Sequence, residues 1–167
     1  MNFSSLGAVR RVGFAGFKTI RHLQANRCRG VPLKAGVYFV MRDPAHICDL
    51  SATSCGGRFK GKNPRVPIAR LRKHWVDGAS VLYIGKAGGG GAKGATLQQR
   101  LWAYMRFGNG DPAIHSGGRF IWKLTNCLDL VICWKPSGKK DALKLEKDLI
   151  REFIAAYSKR PFANLRK

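Results

Sequence analysis

Two side chains that could take part in chemistry, a phenol and an ammonium group, lie close together at the end of a predicted strand. They belong to Tyr83 and Lys86, within the short β-branched and aromatic stretch 80–86, which runs almost directly into the glycines 88–91. Such a stretch predicts a buried strand that delivers its last side chains to a loop. Functional groups are often placed there, although an ordinary strand end has the same pattern.

A second pair of candidates, Arg100 and Tyr104, lies on a predicted amphipathic helix. Thr96 and Gln99 have the form of a capping box, and we expect the helix to run to about Phe107. One turn separates Arg100 from Tyr104, so the two side chains should lie together. An arginine at this place can also extend outward to solvent, which leaves its role open.

The final predicted helix, residues 141–157, carries a carboxylate in an unfavourable place. Glu146 falls at the centre of the apolar stripe, whereas Glu152, the other glutamate of the chain, lies on the polar face. The stripe consists of Ala142, Leu143, Leu149, Ile150, Phe153, Ile154 and Tyr157. A carboxylate that faces the core is costly unless it is paired or binds a metal ion. A structural salt bridge is one explanation, and we favour a functional one.

The charge of the chain points to a polyanionic partner. With 31 Lys and Arg against 9 Asp and Glu, the formal net charge is +22. Such an excess destabilises the folded state through self-repulsion unless an anion relieves it, and nucleic acid is the expected polyanion. An anionic membrane surface is the alternative. We expect nucleic-acid contacts from a basic run and from a glycine-rich loop, namely Arg58, Lys60, Lys62, Arg65, Arg70, Arg72, Lys73 and Lys93. His115 and Arg119 are further candidates.

The cysteines favour a reducing compartment. Their number, five, is odd, and their spacings do not suggest a disulfide framework. His46, Cys48 and Cys55 could supply three ligands to zinc, but the chain has no CxxC pair. We expect a cytoplasmic, nucleoid-associated protein without a membrane span. The Arg-rich, acid-free residues 1–35 leave an organelle transit peptide as the alternative.

Five motifs in the same order resemble the GIY-YIG nuclease family. They are Gly36-Val37-Tyr38, Tyr83-Ile84-Gly85-Lys86, Arg100 with Tyr104, Glu146 and Asn164, and they span about residues 36–164. Each motif alone is weak, but the five in sequence, on the expected element types, are a strong signal. Two features depart from the family pattern, because residues 39–82 separate the first two tyrosines and the glycine-rich loop 87–95 lengthens the path to Arg100.

The resemblance implies an α+β fold with a small antiparallel sheet packed between helices. We therefore expect about three strands in a domain of residues 36–167, with a long basic insertion, 43–79, between the first two core strands. Residues 1–35 would be a basic extension that packs on this domain. From the residue pattern we further predict a short helix within 67–75 and a hairpin of two strands, 119–124 and 128–134.

The resemblance also implies a set of site residues: Tyr38, Tyr83, Lys86, Arg100, Tyr104, Glu146 and Asn164. The reaction would be phosphodiester hydrolysis, in DNA rather than RNA, with one Mg²⁺ or Mn²⁺ ion bound by Glu146. Hydrolysis requires a base, and a tyrosine serves only if its pKa of about 10 is lowered.

We assign the base to Tyr83, supported by Tyr38, although the reverse assignment is open. Lys86 and Arg100 are expected to lower the pKa of the base. Arg100 would also neutralise charge on the phosphate, and Asn164 would hold the local geometry. The competing class is a non-catalytic nucleic-acid-binding module on the same scaffold. A zinc-stabilised basic adaptor is a third reading.

Overall fold

The structure, a computed structural model, describes residues 1–43, 49–51, 66–88, 94–111 and 118–165. Within these residues the elements are α1 (Leu6–Arg11), β1 (Ala15–Thr19), α2 (Ile20–Ala25), β2 (Gly36–Met41), α3 (Ile68–His74), β3 (Val81–Ala87), α4 (Leu97–Gly108), β4 (Val131–Pro136) and α5 (Asp141–Tyr157). Two short 3₁₀ helices, Arg119–Lys123 and Cys127–Asp129, lie between α4 and β4. The predicted α+β fold, with a small antiparallel sheet flanked by helices, is confirmed. None of the described helices is long and apolar enough to cross a membrane.

The described strands form one antiparallel sheet in the order β1-β4-β2-β3. Its fourth strand, β1, comes from residues 1–35, so this segment does more than pack on the domain. The pattern of β1 is hard to read in the sequence because its pairing with β4 is irregular. Gly16 and Phe17 both have positive φ angles, 95° and 49°, which breaks the alternation typical of a strand.

The predicted hairpin of residues 119–134 is wrong in its first strand. Residues 119–123 form a 3₁₀ helix that begins after Gly118, whose φ of 67° is left-handed. Phe120, Ile121 and Trp122 are all buried, and a continuous apolar run of this length fits a buried strand equally well. The second strand is present as β4, which begins at Val131.

The two faces of the sheet are covered by different helices. Tyr38 and Val40 of β2 pack into a core that includes the apolar residues of α2 and α4. Val37 and Phe39 point to the opposite face, where α1 and α5 complete a second core. All six residues of β2 are buried, whereas β3 is one of the two edge strands of the described sheet. Both α4 and α5 contact β2 and β3, from opposite faces of the sheet.

Two buried thiols make the fold sensitive to alkaline pH. Burial raises the pKa of Cys28 and of Cys133 from the ordinary 9.0 to about 12. Because the folded-state pKa is the higher one, the stability contributed by the neutral thiols is complete below pH 9. It is lost as the pH rises through the window from 9.0 to about 12, where the unfolded chain has already released these protons.

We expect the free energy of unfolding to fall above pH 9, by about 1.4 kcal/mol per pH unit for each thiol. Cys133→Ala should be less stable at pH 8 because the thiol packs in the core, yet its stability should depend less steeply on pH than that of the wild type. Urea denaturation at a series of pH values measures both slopes. Equal slopes for the two proteins would show that the Cys133 thiol does not titrate in this way.

Candidate active site

The side chains of Tyr38 and Tyr83 lie next to each other on one face of the sheet. Their ring centroids are 6.0 Å apart in an edge-to-face arrangement, and Tyr104 of α4 lies 6.2 Å from Tyr83. The exposed fractions of Tyr38, Tyr83 and Tyr104 are 0%, 7% and 0%. The predicted tyrosines are thus brought together, with Tyr83 the only one of the three that retains some exposure.

Gly85 allows the phenol of Tyr38 to lie across β3. The two residues are partners in the β2–β3 register, and a Cβ atom on Gly85 would lie 2.5 Å from Cζ of Tyr38 and 2.6 Å from its hydroxyl oxygen. Contacts this close do not occur, so any side chain at position 85 would displace the tyrosine. The glycine of the Tyr83-Ile84-Gly85 motif therefore has a steric explanation.

We expect Gly85→Ala to destabilise the protein by about 1–3 kcal/mol, because the added methyl overpacks a buried site. Gly7→Ala is the matched control, since a Cβ atom at this helical position would meet nothing closer than 3.8 Å. Its effect should be neutral or slightly stabilising. Thermal unfolding of both variants checks the prediction, and equal melting temperatures would contradict it.

Tyr104 is fixed by a backbone contact. Its hydroxyl donates a hydrogen bond to the carbonyl oxygen of Gly118 at 3.0 Å. A Cβ atom on Gly118 would lie 2.9 Å from this hydroxyl and 3.1 Å from the ring of Tyr83. Gly118 is a site residue that the sequence reading missed. The available signal was the glycine pair 117–118 directly before the apolar run, a pattern that by itself indicates only a turn.

Two buried polar atoms in this region, the hydroxyl oxygen of Tyr38 and Nε of Arg100, have no hydrogen bond of regular geometry among the described residues. The two side chains are nevertheless neighbours. Burial, then the charge of Tyr83 and hydrogen-bond contact with it, raise the pKa of Tyr38 well above its ordinary value, while the charge of Arg100 and hydrogen-bond contact with it lower this pKa. Buried groups without partners cost free energy, and in native proteins they commonly indicate a bound water, ion or ligand.

Glu146 of α5 approaches this region from the other face of the sheet. Burial raises the pKa of its carboxyl group, whereas Lys86, Arg100 and Lys147 lower it. The carboxylate therefore lies within electrostatic range of Lys86 and Arg100. Within the part of the chain that the structure describes, it forms neither a hydrogen bond nor a direct ion pair.

The burial of Glu146 differs from the sequence prediction. The residue is half-buried rather than at the centre of a covered stripe. Leu143, one turn earlier in α5, is 43% exposed, so this end of the helix is not fully covered. The Glu146 side chain is therefore partly open to solvent and at the same time within electrostatic range of Lys86 in β3.

Asn164 and Lys86 make contacts that shape the end of β3. The amide of Asn164 donates to the carbonyl of Ile84 at 2.8 Å and accepts from its N–H at 2.9 Å. The N–H of Ala163 also donates to the carbonyl of Leu82 at 2.9 Å. The segment after α5 thus satisfies the outer edge of β3 on both sides of Tyr83. Lys86 donates to the carbonyl of Gly88 at 3.2 Å.

The predicted nucleic-acid contacts are only partly within the described residues. Arg70, Arg72 and Lys73 are exposed on α3, which is anchored in the core by Leu71. Arg119 is also exposed. Arg58, Lys60, Lys62, Arg65, Lys93 and His115 lie outside the described residues, and so do the three candidate zinc ligands His46, Cys48 and Cys55.

The donor set near β3 suits a cation that needs few protein ligands. The described residues contain no cluster of three or more His, Cys, Asp or Glu side chains. Mg²⁺ commonly binds through one or two carboxylates and completes its shell with water and substrate phosphate. A single half-buried carboxylate, that of Glu146, which has no direct partner within the described residues, fits this requirement.

Comparison of the chain with protein-family models, with curated proteins and with solved structures gives no match. The functional interpretation therefore depends on the fold, on the motif order and on the geometry at β3.

Proposed function

We propose that this protein is a GIY-YIG-type endonuclease that hydrolyses phosphodiester bonds in nucleic acid, DNA rather than RNA, with one Mg²⁺ or Mn²⁺ ion. One observation carries the proposal. At β3, the buried Tyr38 hydroxyl and Arg100 Nε have no hydrogen bond of regular geometry within the described residues, and Arg100 lies within electrostatic range of the Glu146 carboxylate, which has no direct partner there either. A phosphate and a hard cation would together satisfy all three groups.

Arg100 is the residue best suited to bind the scissile phosphate. Its guanidinium is planar and always charged, so it can donate to two phosphate oxygens at once. Its Nε–H is buried and has no acceptor among the described residues, so a phosphate oxygen would satisfy it. A cation in this position also stabilises the charge that develops on the phosphate in the transition state.

Tyr83 is the better candidate for the general base. Burial raises the pKa of Tyr38 well above its ordinary value, which disfavours its phenolate further. Tyr83 is the tyrosine with some exposure. In this assignment Tyr83 takes the proton of the attacking water, and the Tyr38 hydroxyl orients that water or the phosphate.

Glu146 would hold the divalent cation, with water and a phosphate oxygen as its other ligands. When bound, such an ion polarises the phosphoryl group and helps the leaving oxygen to depart. Lys86 contributes positive charge to the same region, and Asn164 fixes the segment that covers β3 beside Tyr83. Tyr104 would position the site rather than contact the substrate, because its hydroxyl donates to the carbonyl of Gly118, which lies next to the ring of Tyr83.

The charge of the chain supports nucleic acid as the substrate. The net charge is +22, and the exposed cations of α3 would contact phosphates away from the scissile bond. The cytoplasmic, nucleoid-associated location expected from the sequence would bring the protein to a DNA substrate.

The competing function is a nucleic-acid-binding module without catalysis. The net charge favours it equally, since binding a polyanion requires no reaction. Glu146 separates the two functions, because a half-buried carboxylate beside the phosphate site weakens binding unless it holds a cation. The binding module therefore leaves Glu146 without a role.

Incubation of the purified protein with supercoiled plasmid, single-stranded DNA, branched DNA and RNA tests the proposal. We expect Mg²⁺-dependent cleavage of at least one DNA substrate and none with a chelator. Binding to all substrates without cleavage in Mg²⁺ or Mn²⁺ would favour the binding module. Cleavage that persists in the chelator would exclude the metal-dependent mechanism.

A further inference from the structure

The loop after α2 has a strained backbone that exposes two arginines. Arg27 and Cys28 have φ angles of 55° and 57°, and Gly30 follows at 85°. Residues other than glycine rarely adopt positive φ, and such strain persists only where the surrounding structure enforces it. Arg27 and Arg29, on either side of Cys28, are both exposed.

Buried contacts enforce this conformation. Cys28 and Val31 are 0% and 3% exposed and pack in the core that covers Tyr38. The N–H of Cys28 donates to the carbonyl of Leu23 at 2.9 Å, and Gln98 of α4 donates to the carbonyl of Cys28 at 3.2 Å. Because Cys28 is anchored on both sides, its two neighbours are held at the surface.

The cations of this loop have no acidic partner among the described residues. Residues 1–42 contain no Asp or Glu. The described side-chain ion pairs, Arg21–Asp129, Arg106–Asp111 and Arg151–Asp148, lie elsewhere. Arg27, Arg29 and the exposed Lys34 are thus cations without a described acidic partner on one segment whose backbone is anchored, and we call this segment the 27–34 surface.

The 27–34 surface is joined to the elements that carry the candidate active site. The carbonyl oxygens of Lys34 and Pro32 accept hydrogen bonds from the N–H groups of Leu97 and Gln98, in the first turn of α4, at 2.8 and 3.3 Å. Arg100 follows in the same helix. Lys34 also precedes Tyr38 by four residues, so the two Cα atoms are at most about 13 Å apart. This distance equals the rise of about four nucleotides along one strand of B-form DNA.

We propose that the 27–34 surface binds the sugar–phosphate backbone of the nucleic acid a few nucleotides from the scissile bond, an inference that rests on the proposed function. The guanidinium groups of Arg27 and Arg29 suit phosphate oxygens in a two-point contact. Lys34, nearest to the site, adds a third charge. Leu33, 69% exposed, lies beside Lys34 and would contact a sugar. The rigid backbone holds these groups in place before binding, so less entropy is lost on association.

The test compares two triple variants that lose the same charge. The first is Arg27→Asn, Arg29→Gln and Lys34→Gln, in which Asn tolerates the left-handed backbone at position 27. The control is Arg10→Gln, Arg11→Gln and Lys18→Gln, exposed residues of α1 and β1. Because β1 lies at the opposite edge of the sheet from β3, these control residues are about 14 Å from β3, measured across the strands.

Binding of a fluorescent DNA duplex is measured in a chelator, so that no cleavage occurs, at salt concentrations between about 0.05 and 0.3 M. The slope of log K against log salt is negative. For the first variant we expect it to become less steep by about 2–3, with roughly an eightfold loss of affinity per lost contact at 0.1 M salt. The control should lose much less, through long-range charge alone. The double variant Arg29→Gln with Lys34→Gln leaves the strained residues unchanged and should lose about two thirds of the slope change, which keeps the test independent of misfolding.

Equal losses in the two triple variants would overturn the inference, because charge alone would then explain binding. It would also be overturned if the first variant kept its DNA affinity but lost binding to vesicles that contain phosphatidylserine, since the partner would then be an anionic membrane. A wild-type protein that binds through the 27–34 surface but cleaves nothing in Mg²⁺ would refute the proposed nuclease and leave this surface standing.

Discussion

Glu146→Gln is expected to lower the single-turnover rate of Mg²⁺-dependent cleavage by about a thousandfold or more. A bound divalent cation stabilises the transition state by several kcal/mol, and each 1.36 kcal/mol is about tenfold in rate. The substitution keeps the shape of the side chain but removes the negative charge. Because Lys86 and Arg100 lie within range of this carboxylate, DNA affinity in a chelator should be unchanged or higher. A loss of rate with binding retained is the result that a metal ligand predicts.

Glu152→Gln provides the matched control on the same helix. Glu152 is the second glutamate of the chain and bonds the N-terminal ammonium group of Met1 at 2.7 Å, with its side chain 49% exposed. Its replacement should leave the cleavage rate within a few-fold of wild type. If Glu146→Gln and Glu152→Gln are equally active, Glu146 does not bind a catalytic metal.

The second large effect is expected from Tyr83→Phe, with a decrease in the cleavage rate of about 10²–10⁴-fold, the usual contribution of a general base. Tyr38→Phe should have a smaller effect on rate. It should also raise the melting temperature, because it removes a buried hydroxyl that has no hydrogen bond of regular geometry in the described chain. Such a destabilising tyrosine in the wild-type protein is explained by a role of its hydroxyl in catalysis, since stability is often traded for activity at an active site.

Single-turnover rates and thermal unfolding of the two tyrosine variants, measured side by side, separate their roles. A normal rate for Tyr83→Phe with a lost rate for Tyr38→Phe would invert the assignment of the base. Equal stabilities for Tyr38→Phe and wild type would mean that the Tyr38 hydroxyl is satisfied, by water for example, in the resting protein.

The helices that carry Arg100 and Glu146 could be predicted from the sequence because their signals are local. The structure contains the capping box of Thr96 and Gln99 that begins α4, and α5 has the predicted bounds. The strand β1 and the 3₁₀ helix of residues 119–123 could not be predicted in this way. Each contains or follows a residue with a left-handed backbone, Phe17 and Gly118 respectively, and tertiary packing decides such a conformation. No pattern of hydrophobic residues encodes such an angle.

The site itself was only partly predictable. The motif order supplied its residue types, including the two tyrosines and Glu146. What the order could not supply is the contact of Gly85 with Tyr38, the bond from Tyr104 to Gly118, or the pairing of Asn164 with Ile84. Each of these contacts joins segments that are distant in the chain, and each depends on how the sheet and the helices pack. The half-burial of Glu146 was missed for the same reason, since the packing of α5 on the rest of the protein decides how much of its apolar stripe is covered.

The most direct test of the central claim, a hard cation at Glu146 beside the two tyrosines, is paramagnetic broadening by Mn²⁺. Substoichiometric Mn²⁺ is added to isotope-labelled protein bound to a hydrolysis-resistant oligonucleotide, and amide resonances are followed by NMR. We predict that the resonances of Gly85, Lys86 and the residues around Glu146 broaden first, and that this selective broadening disappears in Glu146→Gln. Broadening centred on another part of the protein, or the same broadening in Glu146→Gln, would contradict the account.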